Sequence, residues 1–157
     1  MAFQIHALSF APFAHLFTLS EQALAEHRAI RLTVDESPGT PCRVSLQDAN
    51  VGDTVVLVNY RHLPEHSPYQ SSHAIFIRES ATQAIPAPNT VPPVISHRLI
   101  SVRAFNEHHL MVDADVTEGT EVGGILTTFL SDSNVAYCHL HNAKQGCFAA
   151  SVTRPAL

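Results

Sequence analysis

Short apolar blocks separated by Pro, Gly, Asn and Asp run along most of the chain, a spacing that predicts strands and turns in greater number than helices. Phe3 to Leu8 predicts a short strand, and Pro12 limits it to a bend or an edge because proline supplies no ladder donor. Ser20 is placed to cap a helix running to about Ala29, with Glu21 in its first turn. Arg31 to Val34 predicts the next strand, and Ser37-Pro38-Gly39-Thr40-Pro41 a loop. Val44 to Leu46 reads as a short strand, and the nearly continuous apolar run from Thr54 to Tyr60 as a central strand covered on both faces.

Residues 61–72 are polar, contain Pro64 and Pro68, and read as a loop before a strand from Ala74 to Arg78. Pro86, Pro88, Pro92 and Pro93 predict an extended surface connection over 81–94 rather than a linker between domains. Arg98 to Phe105 and Leu110 to Val116 flank a short connection and predict a hairpin. Beyond Gly119-Thr120, the apolar residues Val122, Ile125, Leu126, Phe129 and Leu130 recur at helical spacing. Gly123-Gly124 weakens that helix and suggests close packing on the sheet or a late start. Val135 to His141 and Cys147 to Val152 complete a final strand pair. The expected fold is α+β: one domain over residues 1–157, with a largely antiparallel sheet or partly open barrel and two helices.

A chain of 157 residues with 45% hydrophobic and 15% charged residues buries enough surface to fold and is not disordered. Nine Lys plus Arg against fourteen acids, with Lys144 the single lysine, leaves no basic cluster and argues against nucleic-acid binding. Eleven histidines would carry the net charge from -5 to +6 if all were protonated. No apolar run is long enough to span a membrane as a helix, and the first residues lack the positive flank of a secretory signal, so the expected location is cytoplasmic. Three cysteines, Cys42, Cys138 and Cys147, fit a reducing compartment, with a Cys42–Cys147 disulfide left open by their spacing.

The chemistry concentrates near the C-terminus. Strand alternation sends His139 and His141 to one face and Cys138 to the other. If Asn142-Ala-Lys-Gln-Gly146 is a five-residue connection, Cys147 returns opposite His141 and joins both imidazoles, whereas a slip of one residue flips it away. Such a trio could bind zinc through His139, His141 and Cys147, or form a catalytic site with Cys147 as nucleophile and His141 or His139 as base. The competing reading is structural, with a half-exposed His pair and a small buried thiol.

Arg43, carried by the rigid Pro41-Cys42-Arg43 segment, offers a planar fork for a small anion, or pairs with an acid. Cys42, Asn142 and Tyr69 are further ligand-binding candidates, the last from a lid at Ser67-Pro68-Tyr69. Arg98 and Arg103 lie at odd separation, so only one of them can serve any single site. The expected partner is a small molecule, with a homodimer left open. The alternative class is a non-catalytic binding or oligomerisation module.

Pro41-Cys42-Arg43-Val44-Ser45-Leu46 with Asp48-Ala49 and Gly52, then Ser67-Pro68-Tyr69, Ile75-Phe76-Ile77-Arg78-Glu79, Arg98-Leu99-Ile100-Ser101-Val102-Arg103, His139-Leu140-His141-Asn142-Ala143, Gly146-Cys147-Phe148 and Arg154 follow one another in order. Together these blocks resemble the bacterial domain-of-unknown-function 1203 family across essentially the whole chain. The resemblance implies a stand-alone protein of about this length and assigns no activity, substrate or catalytic residue.

Overall fold

Alternation across extended backbone gives most strands one apolar face, and burying those faces divides the chain into two antiparallel sheets. The computed structural model describes residues 2–156. Its strands are β1 (Gln4–His6), β2 (Ala29–Thr33), β3 (Thr54–Leu63), β4 (Ser71–Arg78), β5 (Leu99–Phe105), β6 (Met111–Glu118), β7 (Tyr137–Asn142) and β8 (Phe148–Thr153). Three α-helices are α1 (Glu21–Glu26), α2 (Pro93–Ser96) and α3 (Val122–Ser131), joined by 3-10 turns at Ala11–Thr18 and Gly119–Glu121.

One sheet has the order β1-β8-β7-β5-β6 and the other the order β2-β3-β4. The fold is therefore α+β, as the pattern predicts, but the strands form two open sheets rather than a barrel. Short helical elements outnumber the two expected because Ala11–Thr18 and Pro93–Ser96 each coil after a proline at the first or second helical position. The Ser20 side chain accepts from Ala23 N–H, as an N-cap should.

Ile5, Ile100, Val102, Leu140 and Val152 form the inner face of the larger sheet, and α3 covers it with Val122, Leu126 and Leu130. A second core lies under the smaller sheet, where Val56, Val58, Ile75 and Ile77 meet Phe13, Leu16 and Leu24. Phe148 of β8 enters this second core and joins the two layers. Val55 and Val56 are both buried, consistent with the expected central strand.

Val44 to Leu46 is not a strand. That segment is held instead by isolated bridges from Pro41 to Asp48 and from Cys42 to Phe76, with Leu46 at φ 52°. The proline-rich connection runs extended over the surface, donating from Ala84 N–H to Val44 O and from Asn89 N–H to Phe3 O.

Candidate functional site at the β7–β8 hairpin

The turn between β7 and β8 decides which side chains meet. Gly146 occupies a left-handed conformation at φ 82°, and its N–H donates to Asn142 O at 2.7 Å. Asn142 N–H in turn donates to Cys147 O at 2.9 Å, so Asn142 joins the strand and the connection shifts by one residue to 143–147. Phe148, not Cys147, then lies opposite His141, and a register shift follows between Leu140 and His141. This corrects the expected register by one residue and divides the expected trio of His139, His141 and Cys147. The histidines stay together on one face while Cys147 turns to the face of Asn142.

On that face Cys147 meets Arg43. Arg43 Nη2 donates to Cys147 Sγ at 3.0 Å, Asn142 Nδ2 donates to the same sulfur at 3.5 Å, and Arg43 Nε and Nη1 donate to Phe148 O and Pro41 O. The guanidinium is only 2% exposed and pairs with no carboxylate among the described residues. Burial pushes the Arg43 pKa below its ordinary value, and charge on Cys147 opposes that shift most strongly.

A cavity of about 150 Å³ opens on Arg43, Asn142 and Cys147, closed on its other sides by Pro41, Phe76 and Arg98. It adjoins a larger cavity of about 410 Å³ through the shared Arg98, Asn142 and Gln145. Asp48 takes up the Arg98 charge through contacts of 2.6 and 3.2 Å, which leaves Arg43 as the cation lining the smaller cavity that has no carboxylate partner among the described residues. Asn142 is 5% exposed, and its Oδ1 has no partner among the described residues.

The other face of the hairpin gathers histidines from both sheets. The His62 ring of β3 sits 4.8 Å from that of His141 and 6.0 Å from that of His139, while the His139 and His141 rings are 6.3 Å apart. Burial lowers the pKa of His62 to about 4 and those of His139 and His141 to about 3, with the nearby Arg103 charge adding to each shift. These three of the eleven histidines thus stay neutral through mildly acidic pH, so the full charge swing expected from composition does not occur there. Among the described residues, no group of three or more His, Cys, Asp or Glu side chains is arranged to hold a metal ion.

The remaining sequence candidates are dispersed. Cys42 is buried beneath the loop, where its Sγ accepts from Arg78 N–H and Ser45 N–H. All three cysteines are free, so the disulfide left open by the spacing is not formed. Tyr69 packs edge-on to Phe105 on the histidine face, away from its expected association with Arg43. Arg98 and Arg103 do serve different places, though not by strand alternation: Arg98 precedes β5 and lines the thiol cavity, and Arg103 on β5 acts on the histidines.

His62 and Arg103 were the residues whose grouping the sequence concealed. Pro64, Pro68 and the polar run had placed His62 in a loop, yet alternation from Val56 and Val58 through Tyr60 reaches it on the same face.

The model of a family described as "Protein of unknown function (DUF1203)" matches residues 39–154. No curated protein and no solved structure matches the chain.

Proposed function

The chain belongs to the DUF1203 family, and from the geometry of its hairpin we propose that it binds a small oxyanion beside a reactive thiol, Cys147. The observation that carries this reading is the buried Arg43 guanidinium, which has no carboxylate partner among the described residues and donates to Cys147 Sγ at 3.0 Å. Unpaired buried charge is costly, so an anion in reach of Arg43 is stabilised by its field. Cys147 and Asn142 line the cavity where such an anion would sit, and the free Asn142 Oδ1, an acceptor, suits a donor on the body of the ligand and not its charged oxygens. A volume of about 150 Å³ suits a carboxylate or phosphate on a short body.

Alkylation tests both parts at once. Iodoacetate carries a carboxylate and iodoacetamide does not; either forms an S–C bond to the thiolate as iodide leaves. The expected result is faster alkylation of native Cys147 by iodoacetate than by iodoacetamide, with the preference lost in Arg43→Gln and slowed competitively by acetate in the native chain. A preference for iodoacetamide, or an inert Cys147, would overturn the reading. Competition by acetate keeps the test informative if Arg43→Gln does not fold.

A further inference from the structure

The cavity of about 410 Å³ beyond the thiol pocket is larger than a bare oxyanion needs, and it shares Arg98, Asn142 and Gln145 with that pocket. Its volume falls in the range of small-molecule sites, roughly 300–1,000 Å³. It lies at one end of the larger sheet, where β5 begins, β6 finishes and the turn after β7 starts. Leu99 is the midpoint of that end. Glu118 is its register partner on β6, and on the β7 side Leu99 O accepts from Ala143 N–H at 3.0 Å. Glu118 and Lys144 therefore line the cavity from opposite sides of Leu99, with two strand spacings, roughly 10 Å, between their backbones.

That separation leaves both charges free. Among the described residues, Lys144, the single lysine of the chain, has no carboxylate at ion-pair distance and Glu118 has no cation. Both side chains are exposed. Arg98 on the same wall is neutralised by Asp48. The outer cavity thus presents one free cation and one free anion, and the inner cavity presents Arg43. A simple dianion meets Arg43 and Lys144 but is repelled by Glu118, and a simple cation is repelled by Arg43. A molecule with an anion at each end and an ammonium beside one of them matches all three.

Resting on the oxyanion site at Arg43, we propose that its ligand is an α-amino dicarboxylic acid long enough to reach from the inner cavity into the outer one. The distal carboxylate sits at Arg43 beside Cys147. The α-carboxylate lies toward Lys144 and the α-ammonium toward Glu118, so the outer cavity selects for the amino-acid end while the inner one holds the acid.

Protection of Cys147 from iodoacetamide reads occupancy of the inner cavity in the full chain. The probes are aspartate, glutamate, 2-aminoadipate and 2-aminopimelate, each set beside the dicarboxylate of equal length that lacks the amino group, with acetate as the reference. Dicarboxylates are expected to protect better than acetate, and at the best length the amino acid should act at about fivefold lower concentration than its unaminated counterpart. Lys144→Gln should bring both series down toward acetate, Lys144→Arg should restore them, and Glu118→Gln should abolish the difference between the series. Both positions are exposed, so these variants keep the fold. Protection by acetate with no gain from any dicarboxylate, or equal protection by the two series, would overturn this inference and leave the Arg43 site standing. So would a gain that ignores both substitutions. Failure of acetate to protect, or an inert Cys147, would overturn the Arg43 site and this extension with it.

Discussion

Arg43 Nη2 lies 3.0 Å from Cys147 Sγ, joining the loop after Pro41 to a hairpin more than a hundred residues further along the chain. The contact makes the sulfur a structural acceptor as well as a candidate nucleophile. Cys147→Ala should cost about 1–3 kcal/mol, because it leaves a buried guanidinium donor unpaired. Cys147→Ser keeps an acceptor there and should cost less. Urea unfolding of the two variants checks the order, and an equal loss would mean that Arg43 is satisfied without the sulfur.

Alkylation of the folded chain should add one group, at Cys147. Burial pushes the Cys138 thiol up to about 12, and the Cys42 sulfur is enclosed under the loop with backbone donors on it. Peptide mapping after labelling near neutral pH reads the position directly. Modification of Cys138 at a rate comparable to Cys147 would contradict this.

Acid should weaken the fold through the histidine face. In the unfolded chain a histidine titrates near 6.5, whereas in the fold His139 and His141 do so at about 3 and His62 at about 4. Above the unfolded value neither state is protonated and the shift has no effect. As pH falls below it, the unfolded chain binds protons that the fold refuses, so stability declines progressively until the folded values are reached. Between pH 8 and pH 5 each of the two more deeply buried rings should account for roughly 2 kcal/mol of loss. His139→Phe should flatten the fall in urea midpoint across that interval, and an unchanged slope would remove His139 as a source.

Local patterns carried the strands and not their mutual register. Alternation put His139 and His141 on one face, and the Ser20 cap and the Thr54 to Tyr60 run were visible as single stretches. Which residue faces His141 depended on whether Asn142 belongs to the turn or the strand, and that is settled by Gly146 entering the left-handed region. One residue of difference moved Cys147 from the histidines to Arg43. The meeting of His62 with His139 requires two sheets to pack, a relationship between segments almost eighty residues apart that no local period encodes.

Asp48 and Arg98 anchor the Arg43 loop to the start of β5. Their side chains are 18% and 21% exposed, and Asp48 Oδ1 also accepts from Gly39 N–H. Asp48→Asn should cost about 1–3 kcal/mol, between the values for an exposed and a fully buried pair. It should also slow alkylation of Cys147 by loosening the Pro41 to Asp48 bridge. Unfolding midpoints and labelling rates measured on the same preparation check both, and a stability loss with an unchanged rate would show that the loop holds Arg43 without this pair.

Two glycines around α3, Gly119 and Gly124, should respond in opposite ways. The Gly123-Gly124 pair suggests close packing or a late helix start, but the helix begins at Val122 and the crowded position is Gly119. A Cβ there would lie 2.0 Å from Ile95 O and 2.7 Å from Arg98 O, both backbone atoms that cannot swing aside. Gly119→Ala should therefore cost more than about 3 kcal/mol, since the backbone linking α2 to β5 must move. At Gly123 the nearest atom is a Phe3 ring carbon at 3.5 Å, an ordinary contact, and at Gly124 nothing lies within 4 Å. Gly124 is exposed and inside the helix, so alanine removes unfolded-state freedom without a clash and should add about 1 kcal/mol. Thermal and urea midpoints of Gly119→Ala and Gly124→Ala should thus move in opposite directions from the parent chain. A tolerated Gly119→Ala would mean that the α2–β5 junction is looser than its contacts require.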